Sequence, residues 1–316
     1  MSKFIKRQGM LLTREKASTD EVLKLVRQAK RDVAAIIRDG SRKAINANSR
    51  QAVFNEVVDR YDVLADGIDS TIRALSKGGA KTWHQQAVED IKAADAESGT
   101  RFLRFDPSLV NEYFEFITPR SVKGLVGKSF TDKLVTSDLS ALRQAFREVA
   151  PLAKIEGLTL NEMQKRLQGR WTELAGNLDD HKFLDITGRP WSDRRYLEMM
   201  IRTNEQNIAR ESYMDTITRN GDDLVQIRNI DDTACVFCNA WDNVIISITG
   251  SSEKFPSYAD AVESGWAHPN CRCQTARVDE TLDKDEIDLQ SDLKTPADLN
   301  DIKAVATYSE EFASVL

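Results

Sequence analysis

The chain has 316 residues, with 44 Lys+Arg against 50 Asp+Glu and a formal net charge of −6. Hydrophobic residues make up 41% and charged residues 30%. That is enough to bury a sizeable core, and it excludes a wholly disordered chain or a membrane-spanning one, since no apolar run approaches the ~20 residues needed to cross a bilayer. Residues 1–106 contain no proline and read as helical. Ser18-Thr19-Asp20-Glu21 has the spacing of a capping box. Behind it Val22, Val26, Ala29, Val33 and Ile36 recur at helical spacing. Gly40 and the stretch at 46–49 interrupt the pattern, and Phe54, Val57, Tyr61, Leu64, Ile68, Ile72 and Leu75 set up a second helix. Gly78-Gly79 is expected to break that helix, with a third from Trp83 to Ala96. These amphipathic helices read as antiparallel hairpins rather than as a coiled coil, because each run is short.

Arg101 to Pro119 reads as a loop or short extended segment rich in aromatics. Helical pattern returns at Ser137–Val149 and at Leu160–Gly169, where Thr159 is the expected N-cap. Gly188-Arg189-Pro190 marks a turn, and Ser192 then caps a long helix to about Thr218. Asn220-Gly221 ends it. Beyond that point the texture is β: Leu224 to Arg228 alternates in part, and Asn243 to Ile248 is β-branched. The expected architecture is mainly α. A helical docking region spans 1–106 and a helical core region 107–218. An α+β module with a small C-terminal subdomain that holds all four cysteines spans 219–278, and an acidic, partly flexible tail covers 279–316.

Charge is uneven along the chain. Residues 1–47 carry twelve Lys/Arg against five Asp/Glu, whereas 278–316 carry eleven Asp/Glu against three Lys. A basic head and an acidic tail suit different environments or partners, although such blocks are often only solvated ends. No signal-peptide core follows the basic N-terminus, so the expected setting is a cytoplasm.

All four cysteines fall between 235 and 273, with one of only three histidines among them. The pattern is Cys235-x2-Cys238, then His268-x2-Cys271-x-Cys273. Thiolates and imidazole are the preferred donors to Zn²⁺, and four of them close a tetrahedral structural site. Five candidates compete for four positions. Cys235, Cys238, His268 and Cys273 are the preferred set, with Cys271 as the alternate fourth donor. Four cysteines are too few for a disulfide framework, and nothing directs the chain to an oxidising compartment. A catalytic metal is not expected. There is no His-Glu-x-x-His, and none of His84, His181 or His268 has Glu two residues on, as the zinc deaminases require. Gly124 to Ser129 lacks the spacing of a phosphate loop.

The order of these features resembles the minor head proteins of tailed bacteriophages, the Mu F-like head-morphogenesis and minor-capsid family. The residues that carry the resemblance are Ile201-Arg202-Thr203-Asn204-Glu205 on a helix, Gly221 to Val225, Cys235-x2-Cys238 and Trp241-Asp242-Asn243. Gly265-Trp266-x-His268-Pro269-Asn270-Cys271-Arg272-Cys273 closes the pattern. The resemblance covers roughly 155–278. The closing motif is specific, the Arg-Thr helix alone is weak, and the family's more usual Arg-Thr-Glu is here Arg-Thr-Asn-Glu. It implies a low-copy, non-enzymatic virion protein that bridges portal and prohead and assists DNA packaging or ejection. Portal protein, major capsid protein and packaged DNA would be its partners, the last through the basic N-terminus; no membrane is implied. It would lie in the head interior or at the portal vertex, after assembly in the host cytoplasm. The alternative is a zinc-dependent nucleic-acid-binding or processing protein of phage origin. Against it, residues 216–277 carry five Lys/Arg and eight Asp/Glu.

Overall fold

The computed structural model describes residues 3–40, 47–94, 126–176, 181–184, 190–229 and 235–278. The expected loop at 101–119 and the acidic tail lie outside these residues. A mainly helical N-terminal region is followed by a small antiparallel sheet that carries the Cys/His cluster, as the sequence leads one to expect. Among the described residues no helix is long and apolar enough to cross a membrane. The chain divides into two compact units, each assembled from separate stretches. One takes Met1–Ala17, Arg73–Ser121 and Met199–Leu316, and the other Ser18–Ile72 and Val122–Glu198.

Helix α1 runs without interruption from Lys3 to Gly40, so Ser18 is not a cap but a buried mid-helix residue. The reason is a longer stripe than apolar residues alone reveal. Arg7, Leu11, Glu15, Ser18, Val22, Val26, Ala29, Val33 and Ile37 are all buried, at spacings that repeat four, four, three. Three of these are polar, which hides the first half of the stripe from a hydrophobic count. Helix α2 (Ala47–Ala94) likewise passes through Gly78-Gly79 unbroken. Gly79 serves close packing here. A Cβ on it would lie 2.9 Å from an Arg14 guanidinium nitrogen and 3.2 Å from Ile208 Cγ2.

In the unit that holds 18–72 and 122–198, α3 (Val126–Ile155) packs on α4 (Leu160–Ala175). Thr159 is the N-cap of α4 in a full capping box with Glu162, a local device typically worth about 1 kcal/mol. At the centre is the fully buried Asp138 carboxylate. It accepts from Lys30 Nζ at 3.2 Å and from Tyr61 Oη, while its backbone carbonyl accepts from Trp171 Nε1 at 3.3 Å. Burial, and then the Asp138 charge, push the Tyr61 phenol well above its ordinary pKa. A two-stranded ribbon, β1 (His181–Leu184) with β2 (Pro190–Ser192), leads into α5 (Asp193–Arg219), and Ser192 Oγ accepts from Arg195 N at 3.3 Å.

The other unit is built on the C-terminal part of α5. After the turn at Gly221 (φ 97°), β3 (Leu224–Arg228) forms the centre of a three-stranded antiparallel sheet. It pairs with β4 (Ile245–Ser247) and with β5 (Gln274–Arg277), placing Val225 opposite both Ile246 and Arg277. Val225 and Ile227 join Tyr213, Met214 and Ile217 of α5 and Ala87 and Ile91 of α2 in one buried cluster. Trp241 and Trp266 belong to it too, at 0% and 1% exposure. The strand at 274–277 departs from what its sequence suggests, because Gln-Thr-Ala-Arg lacks the β-branched run that marks a strand.

Arg7 and Glu15 of the α1 stripe, and Arg14 beside them, find partners within this unit. Arg7 forms a buried ion pair with Asp90, which also accepts from Tyr213 Oη at 3.1 Å. Arg14 Nε donates to Glu205 at 3.1 Å and its Nη2 to the Leu75 carbonyl at 2.8 Å. Arg202 Nε reaches Glu15 at 3.2 Å.

Candidate metal centre

Two tight turns and one strand entrance bring the cysteines together. Cys235 is the N-cap of the short helix α6 (Val236–Ala240). Its Sγ accepts from Cys238 N at 3.4 Å, so the Cys-x2-Cys spacing sets both sulfurs on one side of a single turn. Cys271 and Cys273 lie immediately before β5. His268 comes from the turn that follows α7 (Tyr258–Glu263), a helix closed at its start by a Ser257–Asp260 capping box.

His268 Nε2 lies 3.0 Å from Cys235 Sγ and 3.2 Å from Cys238 Sγ, and Cys238 Sγ lies 3.6 Å from Cys271 Sγ. The five donors form two overlapping triads: Cys235, Cys238 and His268, and Cys238, Cys271 and Cys273. Cys238 belongs to both. Cys238, Cys271 and Cys273 are buried, and Cys235 is the exposed edge. All five residues singled out by the sequence therefore meet in space, and they could bind a metal such as zinc.

The donor chemistry fits such an ion. Tetrahedral zinc with its usual bond lengths separates sulfur from sulfur by about 3.8 Å and sulfur from nitrogen by about 3.5 Å. The separations here are a few tenths of an ångström tighter. His268 Nδ1 sits 2.7 Å from the Pro269 carbonyl, which can only accept. Nδ1 therefore carries the proton, and the Nε2 lone pair faces the sulfurs, as a metal ligand requires. The thiols share protons among themselves. The hydrogen bond from Cys238, helped by His268, draws Cys235 down to about 4. Cys238 and Cys273 draw Cys271 well below the ordinary thiol range. Cys238 is pushed up by its bonds to Cys235 and Cys271. Burial opposes the His268 charge, but Cys235 and Cys271 outweigh it and raise the imidazole to about 9, so without a metal Nε2 also carries a proton, which a metal would displace on binding.

The turn that presents His268 is held from the helix side. Arg202 donates to Asn270 Oδ1, and Asn270 N donates to Thr203 Oγ1 at 2.9 Å. Thr203 in turn donates to the Met199 carbonyl at 2.8 Å. The Arg-Thr pair of α5 and the closing motif thus form one structure. Sequence reasoning gave that pair no role, and no spacing rule connects positions this far apart.

Comparison with known protein families, with curated proteins and with solved structures finds no match for the chain. The resemblance to phage minor head proteins rests on the residues quoted above.

Proposed function

We propose that the chain is a structural minor head protein of a tailed phage, joining portal and capsid shell during head assembly, with one structural Zn²⁺ as a staple. The observation that carries this reading is the docking of Arg202 and Thr203 on Asn270 of the closing motif, while His268 and Cys271 of that motif meet Cys235 and Cys238. Separate elements of the family-like pattern serve one local structure. A module whose strands are only three to five residues long gains most from such a staple.

The metal would supply cohesion and no reaction step. Cys235, Cys238 and His268 would hold it with one of Cys271 and Cys273. The basic N-terminal segment offers less free charge than its composition suggests. Arg7, Arg14 and Lys30 are engaged by Asp90, Glu205 and Asp138. Among the described residues, the exposed cations Lys6, Lys16, Arg27 and Arg31 are available for DNA or an acidic portal surface.

The test is a density map, with mass spectrometry, of intact particles whose genome encodes the chain. It is expected at low copy relative to the major capsid protein, with density at the portal vertex or in the head lumen. Particles that lack it would refute the reading. Tight, salt-dependent binding of the purified chain to DNA, with no association with particles, would favour the nucleic-acid-binding alternative instead.

A further inference from the structure

Arg210 stands out on α5 as a buried cation without a carboxylate at ion-pair distance among the described residues. It is 4% exposed. Its guanidinium stacks over the Trp266 ring with its carbon 4.7 Å from the centroid, and Nη1 donates to Asn207 Oδ1 at 3.2 Å. Its Nε and Nη2 are buried and reach no hydrogen-bond acceptor. Arg210 and Cys273 line the same small cavity, together with Trp83, Tyr213 and Gln274. A buried, unpaired charge costs several kcal/mol, so a fold that keeps one needs a source of negative potential close by. Glu211, the neighbouring carboxylate, contributes to that potential but shares its carboxylate with Tyr258 Oη and makes no ion pair with Arg210 among the described residues.

We propose that Arg210 is the counter-charge of the metal–thiolate centre, neutralising the excess negative charge of the cysteines around the ion. The inference rests on the metal reading above. One divalent ion with three thiolates and one imidazole sums to −1, which a single guanidinium balances. Trp266, packed in the same cluster as Cys271 and Cys273, keeps water away and so lengthens the reach of that charge. Among the groups that act on Arg210, burial works against its charge, while Tyr258, Cys271 and Glu211 together favour it and leave it above the usual range. Arg210 is no metal ligand; it would act on the ion through the sulfurs, as partners outside the ligand shell do.

The test uses the full chain, with zinc affinity measured by competition against a chromophoric chelator for wild type, Arg210→Met and Arg210→Lys. Losses of outer-shell partners weaken metal binding by roughly 10- to 100-fold, and Arg210→Met should fall in that range. Arg210→Lys, which keeps the charge, should recover most of the loss. A second measurement separates charge from packing. Arg210→Met should lower the denaturant midpoint of the zinc-loaded chain and leave that of the chelated chain equal or higher. Unchanged affinity in Arg210→Met, or Arg210→Lys as weak as Arg210→Met, overturns the proposal. So does an equal loss of stability with and without zinc. Should Arg210→Met fail to fold with zinc, folding of Arg210→Lys counts for the proposal and failure of both counts against it. A wild type that binds no zinc overturns the metal reading as well, so the two failures are told apart.

Discussion

The turn from Gly265 to Asn270 carries three residues in the left-handed region: Gly265 at φ 87°, Ala267 at 62° and Asn270 at 69°. They are not equivalent. Asn270 tolerates that conformation and is held by Arg202 and Thr203. Gly265 has no alternative, because a Cβ there would lie 3.1 Å from Phe237 Cδ1 as well as in a disfavoured backbone region. Ala267 bears the strain without compensation. Gly265→Ala should therefore destabilise the chain by roughly 1–3 kcal/mol. Ala267→Gly should be neutral or stabilise by up to about 1 kcal/mol, the relief of strain being partly offset by backbone entropy. Denaturant unfolding of the two variants checks the opposite signs; a neutral Gly265→Ala would refute the packing argument. At this scale the donors were legible, since Cys and His are scarce and clustered. The reason for Gly265 was not, because the close approach of Phe237 exists only after folding. Arg210 was equally invisible, as one cation among 44 Lys+Arg.

Between elements, Asp223 ties the segment before β3 to the end of β4. Its carboxylate accepts from Ser247 Oγ, from Thr249 N at 2.8 Å and from Ser251 Oγ at 3.0 Å. Burial pushes its pKa up, but these bonds outweigh burial and hold it below the ordinary carboxylate range. The stability it contributes is present above the unfolded value of about 3.9 and is lost as pH falls through the lower folded value. Asp223→Asn should cost about 1 kcal/mol at neutral pH, modest because water screens a partly exposed group. The gap from wild type should narrow as pH falls below the ordinary carboxylate range. A gap that stays constant with pH in denaturant titrations would assign the loss to shape rather than charge. A helix end is legible in the sequence only where its cap is local, as at the start of α4. Thr159 and Glu162 form a cap that needs no partner beyond their own turn. Ser18-Thr19-Asp20-Glu21 has equal local merit, yet Arg7 and Glu15 of the stripe, with Arg14 beside them, pair with Asp90, Arg202 and Glu205, and that tertiary pairing carries the helix through. Gly78-Gly79 reads as a break until Arg14 and Ile208 are seen to need the space.

At the scale of the whole molecule, the two compact units differ in what holds them. The unit with 18–72 and 122–198 contains none of the Cys/His donors and is organised around Asp138, Lys30, Tyr61 and Trp171. The other has the donors inside its main hydrophobic cluster, with Cys238, Cys271 and Cys273 among Trp241, Trp266, Val225 and Ile227. Removing a metal there leaves close-set sulfurs that must take up protons, and the loss falls on a sheet too small to be secure alone. Chelation of the zinc-loaded full chain should therefore speed amide exchange by tenfold or more in 224–228, 236–240 and 265–277. Exchange in 47–72 and 126–175 should stay within about twofold, because opening there is a separate cooperative event. Hydrogen-exchange mass spectrometry with and without chelator measures both regions in one experiment. Uniform acceleration along the chain would mean that the units unfold together, and unchanged exchange in 265–277 would mean that the sulfur cluster is held by packing alone.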